Sequence, residues 1–227
     1  RTVKKGWFTG KVDYPFFNDK LSKESKGKTY SSAQQKLIKL FFFMKLSRQT
    51  FFFMSLATIV GFSVVASLII YFFQNKNILA VFQSDYSLLF QIFVGVCYGI
   101  ITSLVISFLL ELKFCEPVKL FFERLFVNVE VELSDVLFAS FAAGVGEELF
   151  FRAGIQPFLG IWLTSILFIA IHSYIKMSKA WLFFGFIMIV MSAGLGYLFE
   201  YVGLISAMSA HAAFDVMGFR SLLNRNE

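Results

Sequence analysis

The sequence predicts an all-α fold, a polytopic membrane bundle of about six transmembrane helices with one or two amphipathic interfacial helices. Three observations lead there. Of the 227 residues, 57% are hydrophobic and 16% charged, against about 45–50% and about 25% in soluble domains. Thirty-two phenylalanines stand against three prolines, which suits long helices in lipid. The apolar residues also gather into six runs of about 17–24, near the roughly 20 that a helix needs to cross a bilayer.

The first run is Thr50–Phe73 and the second Ser87–Leu110. The third is Ser134–Gln156, with Ser134 or Asp135 expected as N-cap and Pro157 as the stop. Phe158–Ile175, Ala180–Tyr201 and Gly203–Phe219 complete the set. Two further stretches, residues 34–48 and 112–126, mix lysine and arginine with an apolar face, as helices lying on a membrane surface do. The domain reading follows: 1–49, a basic arm with an interfacial helix; 50–133, two N-terminal spans and an interfacial segment; 134–219, a four-helix core; 220–227, a short tail. No repeat or second soluble domain is visible, and the first long apolar run begins too far in for a signal peptide.

Charge sets the expected orientation. Residues 1–50 carry 12 Lys/Arg and 3 Asp/Glu, whereas 51–227 carry 9 and 12. A basic arm ahead of the first span is the usual cytoplasmic anchor on anionic lipid, and this distribution argues against a nucleic-acid partner. With six spans and both termini cytoplasmic, 19 of the 21 Lys/Arg fall inside; Lys76 lies outside and Arg152 within a span. Cys97 and Cys115 offer no disulfide framework.

Against this apolar background, GVGEELFFRA at 144–153 places Glu147, Glu148 and Arg152 in a span, and the chain's two histidines, His172 and His211, also fall deep in spans, with Asp215 nearby. Each charge facing lipid at mid-span would cost roughly 2.5–3.5 kcal/mol on insertion scales, so these groups must face one another or a wet cavity. Glu148 and Arg152 are i,i+4 and can pair. Glu147 lies about 100° around the helix and points elsewhere, which leaves it the less neutralised carboxylate. His211 and Asp215 are again i,i+4. Small residues flank this set at Ala139/Ala143, Ser140/Gly144, Ala142/Gly146, in SAGLG at 192–196 and throughout 206–213, marking where helices approach closely.

Those residues resemble the CPBP intramembrane proteases, the group that includes the type II CAAX prenyl endopeptidases. Glu147–Arg152 is similar to the EExxxR element, Phe168–His172 to FxxxH, and His211–Asp215 to HxxxN or HxxxD, in order and each on its own expected span. The resemblance covers about 140–218. It implies peptide-bond hydrolysis in the membrane by a glutamate-activated water, with Glu147 as general base, His172 holding the same water and His211 stabilising the oxyanion. Glu148 and Arg152 are then a structural ion pair. Asp215 stands where members often carry Asn; an ionised aspartate cannot donate to an oxyanion, so it is read as orienting His211 and favouring its charged form. No cofactor is expected. The alternative is zinc held by Glu147, His172 and His211, with Glu148 left as base. The implied partner is a membrane-associated peptide or protein, prenylated or not, and the implied location is the plasma membrane of a prokaryote. Two other classes compete: an idle relative serving as a membrane scaffold, immunity or regulatory peptide-binding protein, and a small transporter or proton relay. The second would show repeat symmetry or matching broken helices, and neither is visible.

Overall fold

The structure, a computed structural model, describes residues 47–126, 131–172 and 178–223. The basic arm and its interfacial segment at 34–48, apart from Ser47 and Arg48, lie outside the described residues, as do 173–175 of the fourth expected span. Every regular element described is helical. In order these are α1 (Arg48–Gln74), a 3-10 turn (Ile78–Phe82), α2 (Leu88–Leu110), a 3-10 turn (Lys113–Cys115), α3 (Glu116–Phe126), α4 (Leu133–Glu148), a π-helical segment (Leu149–Ile155), α5 (Gln156–Ile171), α6 (Lys179–Tyr201) and α7 (Leu204–Leu223). Arg48–Gln74, Leu88–Leu110, Leu133–Ile171 and Lys179–Tyr201 are long and apolar enough to cross a membrane by length and composition.

The phenylalanines explain themselves by position. Phe53, Phe73, Phe93, Phe108 and Phe186 are exposed, while Glu148 and Arg152 are fully buried. Soluble monomers rarely show apolar patches beyond a few hundred Å². A bundle with an apolar skin and charged side chains buried inside it is built for hydrocarbon, and the chain is an integral membrane protein.

Two expected boundaries move. The N-cap of α4 is Glu132, ahead of Ser134 and Asp135. Asp135 sits one turn in and accepts from the Glu132 backbone N–H at 2.8 Å. Arg48, at the start of α1, donates to both Glu132 and Asp135, which pins the two helix starts together. The expected stop at Pro157 is also displaced. Proline takes away the N–H that would bond the carbonyl of residue 153, but Gln74 Nε2 donates to the Ala153 carbonyl at 2.7 Å. With that acceptor satisfied from α1, the helical path runs on to Gly160. There φ is 73° and ψ 173°, a conformation that glycine alone adopts readily. The chain reverses at that point. Phe151 and Phe168 rings meet at 4.9 Å, although 17 residues of straight helix would separate them by about 25 Å.

Helix α7 occupies the centre, packed against α2, α4 and α6. Shielded from lipid, it can be the least apolar of the long helices and still carry His211 and Asp215. Its approach to α2 is the tightest. A Cβ on Gly95 would lie 2.3 Å from the Ser206 carbonyl oxygen, and one on Gly99 2.2 Å from that of Ala210. Gly144 meets the Met208 carbonyl, and Gly146 meets α1 at Thr58 and Ile59. Gly99→Ala is therefore expected to push α2 off α7 and lower the melting temperature in detergent, because the atom in the way is backbone and cannot rotate aside. An unchanged melt would show that the two helices part without cost.

Candidate active site

The buried polar set is assembled at the junction of α4 with the π segment. Arg152 Nε donates to Glu148 Oε2 at 2.9 Å, and neither side chain is exposed. The rest of the guanidinium is used as well: Nη2 donates to Ser192 Oγ at 2.8 Å and Nη1 to Ser165 Oγ at 3.4 Å. Burying an arginine is tolerable only when its donors are matched in this way.

The second oxygen of Glu148 reaches further. Oε1 lies 2.8 Å from His211 Nδ1, so one carboxylate ties α4, the π segment and α7 together. Since that carboxylate only accepts, Nδ1 carries the proton and Nε2 turns toward Asp215 Oδ2 at 3.7 Å. That distance is beyond a hydrogen bond. The group that orients His211 is thus Glu148, with Asp215 a nearby charge on the other side of the ring.

Glu147 points away from this pair. Its Oε2 is 3.4 Å from His172 Nε2 and is buried with no hydrogen-bond partner among the described residues. His172 is oriented from behind, its Nδ1 lying 2.7 Å from the Phe168 carbonyl. A carbonyl only accepts, so Nδ1 carries a proton. Phe168 itself is the platform of the site. Its ring lies 4.4 Å from His172 and 5.7 Å from His211, and the Arg152 guanidinium stands over it at 5.7 Å.

Glu147, His172, His211 and Asp215 line one cavity of about 300 Å³. All six expected site residues therefore meet in one place, four on the cavity and two in the support behind it. The sequence reading did not anticipate Ser165 and Ser192 as partners of Arg152, or Tyr98, Thr102 and Phe122 as cavity walls. Ser192 lay in SAGLG, where only packing was read. Gly95 and Gly99, a GxxxG signal for close helix approach, could have placed α2, and with it Tyr98 and Thr102, against α7.

A zinc ion would need Glu147, His172 and His211 to converge at about 2.0–2.2 Å from one centre. Among the described residues no three His, Cys, Asp or Glu side chains are grouped to hold a metal. His211 Nδ1 is already taken by Glu148, whose two oxygens are occupied by His211 and Arg152.

The fold and the site together define an all-helical integral membrane protein with carboxylates and imidazoles lining one cavity between its helices. Residues 130–217 match the family described as type II CAAX prenyl endopeptidase Rce1-like. The match takes in all six site residues and begins just ahead of α4. No curated protein and no solved structure matches the chain.

Proposed function

We propose that the protein is an intramembrane endopeptidase that hydrolyses a peptide bond of a membrane-associated peptide or protein with water activated by Glu147. The observation that carries this reading is the pairing of Glu147 Oε2 with His172 Nε2. Glu147 Oε2 lies 3.4 Å from His172 Nε2, while His172 Nδ1 is set on the Phe168 carbonyl. A carboxylate oxygen and an imidazole nitrogen this close can hold one water between them. The carboxylate takes one proton as the water oxygen bonds to the scissile carbonyl carbon. The carbonyl π electrons move onto its oxygen, where a proton on His211 Nε2 can stabilise the charge, with Glu148 fixing the ring and Asp215 as counter-charge. Collapse of the tetrahedral intermediate breaks the C–N bond, and the proton held by Glu147 passes to the leaving amine. No step requires a metal. Incubating purified protein with a peptide library in detergent and reading products by mass spectrometry tests the activity; a prenylated subset shows whether the lipid is needed. Binding without cleavage would move the chain to the regulatory class.

Metal-free catalysis has its own expected result. Thorough chelation leaves cleavage intact, and active protein contains far less than one zinc per chain. Loss on chelation, restored by zinc and joined to a catalytic rather than a folding defect in Glu148→Gln, would make Glu148 the base and reverse the assignment.

We also propose both termini in the cytoplasm, with the 1–49 arm on anionic lipid of a prokaryotic plasma membrane, from the placement of 19 of 21 Lys/Arg. A reporter fused after Asn75 is expected to face outward and one after Glu227 inward. An outward C-terminus would mean an odd number of crossings.

A further inference from the structure

Helix α3 lies outside the matched domain, yet it reaches the cavity. Glu116, Lys119 and Glu123 make its polar side, with Lys119 bonded to Glu111 at 2.5 Å. Val118 and Phe122, four apart, make the other, in line with Cys115 at the end of the 3-10 turn before it. Cys115 and Val118 are fully buried and anchor the segment in the bundle. Phe122 packs on Trp181 and Phe184 of α6, with ring centroids 6.3 and 5.7 Å away, and it also lines the cavity of Glu147 and the two histidines.

Beside the reacting groups, the cavity lining includes the apolar side chains of Phe122, Met188, Met191 and Phe214. Methionine is unbranched and polarisable and adapts to different apolar shapes, whereas an aromatic ring held between two others is rigid. We propose that α3 supplies a substrate-selecting wall, with Phe122 as the specificity-determining residue that limits the size of an apolar side chain beside the scissile bond. This rests on the endopeptidase reading above for the word substrate, but not for the existence of an apolar subsite.

The test uses the full chain in phosphatidylcholine–phosphatidylglycerol vesicles. Peptides of one sequence carry Ala, Leu, Phe or Trp beside the bond that the wild type cleaves, or at the central position if none is cleaved. Phe122→Ala is expected to raise kcat/KM for Trp relative to Ala by about tenfold or more, and Phe122→Trp to lower it, since removing or adding a few carbons in an apolar pocket is worth about 10–200-fold. A role confined to stability would change all four peptides alike. Should Phe122→Ala fail to give a cooperative melt, Phe122→Leu and Phe122→Trp carry the comparison. The same peptides, fluorescein-labelled, give binding by anisotropy. A shifted binding ratio without cleavage upholds the wall and overturns the protease reading. Ratios within about twofold of wild type in every variant, by both measurements, overturn the wall.

Discussion

Glu147→Gln is expected to abolish peptide cleavage while leaving insertion and folding intact. A positioned general base is worth about 10²–10⁴-fold in rate, and the amide cannot take the proton. Stability should hardly change, because Glu147 Oε2 makes no hydrogen bond that glutamine would break. The substitution keeps the side-chain shape and removes a charge from a buried place. Cleavage rate and detergent melting measured on the same preparation separate the two effects. Near wild-type turnover would remove Glu147 from the role of base. A cooperative melt with no turnover in Glu147→Gln, and a partial loss in His172→Ala, is the pattern that a shared water produces.

The second large effect is on stability. Arg152→Ala leaves Glu148 buried without its cation, and Glu148→Ala leaves Arg152 buried without its anion; each is expected to cost about 3–5 kcal/mol. The two differ in consequence. Ser165 and Ser192 still contact the guanidinium when Glu148 is removed, but His211 loses its 2.8 Å partner. Glu148→Ala should therefore lose activity even where the protein remains folded, whereas Arg152→Ala should lose it mainly by unfolding. The double variant is expected to destabilise by less than the sum, since it strands neither charge. An Arg152→Ala variant that melts like wild type yet is inactive would place Arg152 in the chemistry itself.

The chain's sequence by itself determined the all-helical membrane class, the positions of the long helices to within a few residues, and the six ionisable residues that stand among the apolar runs. Those signals are local. Hydropathy needs only a run of about 20 residues, and an i,i+4 pair such as Glu148 and Arg152 needs only the helical repeat. Even the direction of Glu147 followed from its 100° offset. The resemblance to CPBP proteases was legible for the same reason, since each motif element lies within one helix.

Tertiary structure decided what lies between helices. No periodicity links Glu148 to His211, 63 residues away, or Gln74 to the carbonyl that Pro157 leaves unpaired. The turn came at Gly160 because a partner on α1 satisfied the backbone that proline would otherwise have broken. Hydrogen bonds of this kind depend on three-dimensional approach, set here by glycines at which one backbone rests on another. The composition of the cavity belongs to the same category. Tyr98, Thr102 and Phe122 read in sequence as ordinary parts of apolar or amphipathic helices, and only the packing of α2 and α3 around α7 turns them toward Glu147 and the histidines.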